Sequence, residues 1–257
     1  MSWRLLDTPP AAGAWNMALD EALAESVAEG GEPVLRFYRW SPPCLSLGRN
    51  QPAAGLYDLD ALAARGWDVV RRPTGGRAVL HHRELTYSAA LPATLLGPPR
   101  EAYTAINRAL VAGLRGLGVD AAVQGETGRR APVPSVAPCF AEPVEGEVMA
   151  AGRKLVGSAQ RRMGGVLLQH GSLPLEDDQG EVAALLGQLL PDADRPAALA
   201  PLLGRHPAWE EVTTALAGGW REALGTRLDE GAPTERERKR AAALAERYAS
   251  PAWTWHR

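Results

Sequence analysis

Two long strand-like segments joined by a glycine pair constrain this fold more than any other feature. Gly152-Arg153-Lys154-Leu155-Val156-Gly157-Ser158-Ala159-Gln160 alternates polar and apolar residues and begins a strand expected over 153–163. Residues 166–173 form its partner across Gly164-Gly165, which predicts a β-hairpin. Further strands are expected at 3–7, 33–40, 44–48, 68–72, 78–82, 85–91 and 119–124. Helices are expected at 13–23, 59–65, 100–117, 180–190, 209–224 and 234–248, with Gly66 and Gly118 closing two of them. Residues 125–138 read as a loop. Strand runs mixed with helices at the ends predict an α+β fold, a mixed, mostly antiparallel sheet flanked by helices.

The 257 residues, 46% of them apolar, suit one large domain, taken as 1–257, with the helices from about residue 179 packed on it. A net charge of −2 provides no global field for nucleic acid or anionic membrane. No apolar run approaches the ~20 residues of a membrane span, and Met1-Ser2-Trp3-Arg4-Leu5-Leu6-Asp7 is not a signal peptide. Two cysteines among many unstapled loops point to the reducing cytoplasm. No metal-ligand spacing occurs, so no metal is expected.

Only two lysines, Lys154 and Lys239, stand against twenty-six arginines. Lys239 lies in Glu235-Arg236-Glu237-Arg238-Lys239-Arg240, a solvated helix face. Lys154 lies inside a half-buried strand, where a compact ammonium differs from a broad guanidinium. Strict alternation would put Lys154, Val156, Ser158 and Gln160 on one face, and Arg153, Leu155, Gly157 and Ala159 on the other. Interior polar groups need partners, and an acyl carbonyl would serve. A second stretch, Arg71-Arg72-Pro73-Thr74-Gly75-Gly76-Arg77-Ala78-Val79, sits between strands. Its glycines allow a close approach to a ligand, and its arginines suit phosphate or carboxylate; a plain turn fits it equally. Pro138-Cys139-Phe140 precedes Lys154 by fifteen residues. A loop thiol beside an ammonium suits covalent acyl transfer, since a thiolate both attacks and leaves well. Cys44 opens the apolar run Cys44-Leu45-Ser46-Leu47-Gly48 and reads as core. His81 and His82 alternate, so only one can face a site.

The Arg71 to His81 stretch, followed by Glu84-Leu85-Thr86-Tyr87-Ser88, resembles the signature of the lipoate–protein ligase A-like superfamily. The Lys154 strand with Gln169-His170-Gly171-Ser172 is similar to its second motif. That superfamily includes ATP-dependent lipoate ligases, biotin ligases and ATP-independent octanoyltransferases, and the resemblance implies a mixed sheet flanked by helices. Gly75-Gly76-Arg77 replaces the three glycines usual in ligases, and His81-His82 replaces their His-Asp. The chain also ends soon after the core, leaving no room for a ligase accessory domain. The resemblance therefore implies an octanoyl-[acyl carrier protein]:protein N-octanoyltransferase. It makes Cys139 the acyl-accepting nucleophile, with Lys154 orienting and polarising the acyl carbonyl. Arg72, Gly75, Gly76, Arg77, His81, Tyr87, Gly157, Ser158 and His170 would bind substrate. Octanoyl-acyl carrier protein would be the donor. The acceptor would be an apo-lipoyl domain of glycine cleavage H protein or dehydrogenase E2 type. No cofactor is expected. An apolar tunnel, with Leu80 and Tyr87 as lining candidates, would bury about seven carbons at ~0.8 kcal/mol each. An ATP-dependent lipoate ligase, an amidotransferase between lipoyl domains and a non-catalytic acyl-binding regulator remain as alternatives.

Overall fold

The computed structural model describes residues 1–125 and 146–257. Strand β1 (Ser2–Asp7) leads into helix α1 (Gly13–Ala28), then strands β2 (Val34–Tyr38) and β3 (Cys44–Leu47). Helix α2 (Leu59–Ala64) precedes β4 (Asp68–Arg71), β5 (Val79–His81) and β6 (Glu84–Pro92). Helix α3 (Pro99–Gly116) is followed by β7 (Ala121–Val123), β8 (Val148–Ala150), β9 (Arg153–Met163) and β10 (Val166–Pro174). The remaining elements are α4 (Gly180–Ala184), α5 (Leu199–Leu203), α6 (Trp209–Leu224), β11 (Arg227–Gly231), α7 (Glu235–Ala249) and α8 (Pro251–Thr254).

The expected hairpin is the centre of the molecule. β9 and β10 pair antiparallel, with Ser158 opposite Gly171 and Gln160 opposite Gln169. They belong to an eight-stranded sheet of order β11-β1-β2-β6-β10-β9-β8-β7. Its β11, β1 and β2 run parallel and every later pair is antiparallel. A second sheet, β4-β3-β5, is three-stranded. The α+β expectation of a mixed, mostly antiparallel sheet flanked by helices therefore holds.

Strand periodicity divides the core into layers. Leu35 and Phe37 of β2 join Trp3, Ile106 of α3 and Trp220 of α6 on one face. Val34 and Tyr38 join Met17 of α1 and Tyr248 of α7 on the other. Leu45, Leu80 and Val182 form a third cluster beside the small sheet.

Several boundaries differ from expectation. The helix expected over 180–190 ends at Ala184, and Gly187 turns left-handed at φ 65°. The strand expected over 119–124 is reduced to Ala121–Val123. β8 is too short to show a period. β11, Arg-Leu-Asp-Glu-Gly, is an edge strand that buries only Leu228 and so carries little apolar signal. Among the described residues no helix is long and apolar enough to cross a membrane.

Candidate active site

The Arg71 to Val79 turn is held from within. Arg72 donates to the Ser46 carbonyl and hydroxyl and to the carbonyls of Gly75 and Arg77, at 2.8–2.9 Å. Its guanidinium thus shapes the turn. Gly76 has φ 91°, a left-handed conformation open to glycine. The turn lies against β9, because a Cβ built on Gly76 would come 3.8 Å from the Ala159 Cβ. Arg77 is buried on the same turn, at 7% exposure.

A pocket of about 340 Å³, its open mouth included, lies between this turn and the α1 face of the sheet. Met17, Tyr38, Trp40 and Val79 provide apolar wall, and β9 contributes Gly157, Ser158 and Ala159. His81 and His170 are also in the wall, which answers the alternation between His81 and His82. His82 is exposed and faces Asp178 at 3.2 Å. Leu80 points away into the third core cluster, since its β5 neighbours Val79 and His81 take the pocket side. Tyr87 also departs from the expected lining: it faces the α3 side, with its hydroxyl 2.8 Å from Ser158 Oγ and 2.8 Å from Gln169 Nε2. Gly171 makes room for this contact, because a Cβ there would fall 2.6 Å from the Tyr87 ring.

Each pocket histidine is fixed by a carboxylate and a hydroxyl. Asp20 is wholly buried; burial pushes its pKa up, but Arg36 at 2.7 Å and His170 outweigh this and hold it below the ordinary value. Ionised Asp20 makes His170 Nδ1 the donor at 3.3 Å, so Nε2 accepts from the Thr74 hydroxyl at 2.5 Å. His81 Nε2 meets Ser46 Oγ at 2.7 Å, Nδ1 lies 3.6 Å from Glu84, and the ring stacks on Trp40 at 4.1 Å. Burial lowers the pKa of both histidines despite their carboxylates, so both are neutral near pH 7. Asp20 holds the turn through His170 and Thr74, and Glu84 holds His81 against Ser46, the residue that Arg72 binds; sequence spacing did not reveal the role of Asp20. Asp20 sits in an ordinary helical pattern, and its partners are remote in the chain.

Lys154 corrects the face assignment. Val156 pairs with Val148, but Lys154 pairs with Met149, so one step on β8 spans two on β9. Leu155 is the extra residue, and it shares the first core cluster with Val156. Such a bulge slips the alternation by one. Met149 alternates with Val148 and Ala150 of that same cluster, so it faces the opposite way. Lys154, directly across from Met149, shares its face. The bulge therefore turns Lys154 from the Ser158 side to the side of Gly157 and Ala159, although Lys154 is not itself among the residues that line the pocket. Lys154 is buried there at 3% exposure, with Nζ 2.5 Å from Glu147. Ser158 instead faces Tyr87 and Asn107.

Cys139 lies outside the described residues. Cys44 is wholly buried in β3 with its thiol pushed well above its ordinary pKa by burial and by Asp68. It is a core residue and a poor nucleophile.

Residues 12–220 match the family model of the lipoyl protein ligase A/B catalytic domain. The chain belongs to that family. It is 44% identical to the octanoyltransferase LipM of Kyrpidia tusciae, covering 100% of this chain and 99% of that protein. The octanoyltransferase LipM of Symbiobacterium thermophilum is also 44% identical, over 98% of this chain and 97% of that one. Among solved structures, a lipoate-protein ligase A bound with ATP superposes with a TM-score of 0.83 at 29% identity over 99% of both chains. A putative lipoate protein ligase of T. acidophilum with bound lipoic acid gives 0.82 at 28% identity over 100% of both.

Proposed function

We propose that this family member is an octanoyltransferase of lipoate biosynthesis, moving an octanoyl group from acyl carrier protein to a lysine of an apo-lipoyl domain. Full-length similarity to octanoyltransferases carries this reading. The pocket's apolar wall suits the acyl chain, and its histidines, neutral and already bonded, add no charge beside it. In the first step the Cys139 thiolate attacks the thioester carbonyl carbon. The carbon–sulfur bond to the donor arm breaks, and the arm thiolate leaves and takes a proton. In the second step the neutral ε-amine of the acceptor attacks the thioacyl carbon, the bond to Cys139 breaks, and the amine gives up a proton as the amide forms. Lys154 stabilises the thiolate and the developing oxyanion as a fixed cation. Both steps start from a thioester, so neither ATP nor metal is needed.

The acceptor is an apo-lipoyl domain of glycine cleavage H protein or dehydrogenase E2 type, and a panel of such domains distinguishes the two. Octanoyl-carrier protein mixed with an apo-lipoyl domain should yield the octanoyl amide without ATP and in the presence of a chelator. Intact-mass measurement should find an octanoyl adduct on the enzyme that Cys139→Ala abolishes together with turnover. Turnover by Cys139→Ala would rule out the thioacyl route. Transfer only from free lipoate with ATP would move the assignment to the ligases.

A further inference from the structure

We infer that Glu147 is a positioning residue for the reaction, holding the Lys154 ammonium on the face of β9 that the bulge turns it to. The inference rests on the catalytic role proposed for Lys154. Both side chains are almost wholly buried, at 3% and 5% exposure, with Nζ and Oε1 2.5 Å apart. Buried ion pairs are weak evidence of stabilisation, because desolvation offsets most of their attraction, so such a pair invites a specific role. The backbone supplies one. Glu147 directly precedes β8, where Val148 joins the first core cluster and Met149 faces the other way. Alternation puts Glu147 on the Met149 face, and the Leu155 bulge brings Lys154 to that same face. Without the extra residue in β9, ammonium and carboxylate would stand on opposite sides of the sheet.

Lysine has a flexible four-carbon stem, and a carboxylate at hydrogen-bond distance fixes where its Nζ sits. Glu147 acts through Lys154.

A double-mutant cycle tests this with the full chain, octanoyl-carrier protein and an apo-lipoyl domain. Glu147→Gln should lower kcat by ~10-fold or more, as expected when the ammonium loses the partner that holds it in place, and leave KM for the lipoyl domain within about twofold. Glu147→Asp, which keeps the charge with a shorter reach, should recover most of that loss. In a Lys154→Met background, Glu147→Gln should cost nothing further, because the group it positions is gone. Wild-type kcat in Glu147→Gln would overturn the inference. So would an undiminished tenfold cost in the Lys154→Met background, or equal losses in the Asp and Gln variants. If Glu147→Gln does not fold, the Asp variant and the doubly neutral Glu147→Gln/Lys154→Met protein decide. The double variant must match the Lys154→Met kcat, and a lower value overturns the inference. Wild-type kcat in Lys154→Met would instead defeat the catalytic reading of Lys154, which distinguishes the two failures.

Discussion

Lys154 is a place where charge and shape can be separated. Arginine would keep the charge, but its guanidinium is broad and fixed as a fork, and the site beside Glu147 is buried. Lys154→Arg should lose at least ~100-fold in turnover, equivalent to a preorganised contact of ~2.7 kcal/mol, while a cooperative thermal transition, lowered by the bulkier buried group, shows that the variant still folds. An active Lys154→Arg enzyme would show that charge alone suffices. The pocket histidines give a second test at this scale. Their folded pKa values are lowered by burial, so between those values and ~6.5 the unfolded chain binds more protons than the folded one. The stability they contribute is complete above ~6.5 and is lost as pH falls through the folded values. Melting temperature should therefore decline from about pH 7.5 to 5.5, and His170→Gln should flatten part of the decline. A wild-type profile flat over that range would contradict two neutral buried histidines.

At the level of elements, the β9 bulge decides which face the lysine serves. An alanine inserted between Val148 and Met149 would give Leu155 a cross-strand partner and restore regular alternation. Lys154 would then swing to the Ser158 side, away from Glu147. Turnover should fall by about two orders of magnitude, the scale of one lost electrostatic contact, with strand content by circular dichroism unchanged. Retained activity would mean that the bulge does not aim the lysine. The same element shows how far sequence reading reaches. The long period-2 segments of β9 and β10 identified the central hairpin, and of the Arg71 to Val79 stretch only Arg72 and Val79 line the pocket. The lysine's face could not be read, because a bulge depends on the partner strand, and β8 is only three residues long. Leu80 lies off this pocket for a related reason: its β5 neighbours take the pocket side. Asp20 carried no local signal, since its partners Arg36, Tyr38, Ser88 and His170 are brought to it by the fold.

Across the whole molecule, the ends of the chain close the structure that the middle uses. β11 pairs in parallel with β1, and the Arg4 guanidinium binds Glu237 of α7 at 2.6 Å. α7 packs on α1, with Leu244 and Tyr248 in the core that also holds Met17 of the pocket wall. The terminal turn is tied to the small sheet: Arg71 Nε donates to the Thr254 carbonyl at 2.8 Å, and Trp253 Nε1 donates to the Arg71 carbonyl at 2.9 Å. Residues 1–257 are therefore expected to unfold as one unit, in a single calorimetric transition. A chain stopped after Thr226 would lose β11, α7 and α8, and with them the buried Leu228, Leu244 and Tyr248. At ~1.5–3 kcal/mol for each large side chain, that loss is on the order of 5–9 kcal/mol. A folded protein has only about 5–15 kcal/mol in total, so the shortened chain should not reach a cooperative native state. Hydrogen exchange then provides the sharper measurement. In the full chain, amides of β1 and of α7 should exchange through the same global opening, at equal free energies. Amides of α7 exchanging well ahead of β1, or a shortened chain that melts cooperatively, would show that the C-terminal helices are an appendage and that the pocket stands without them.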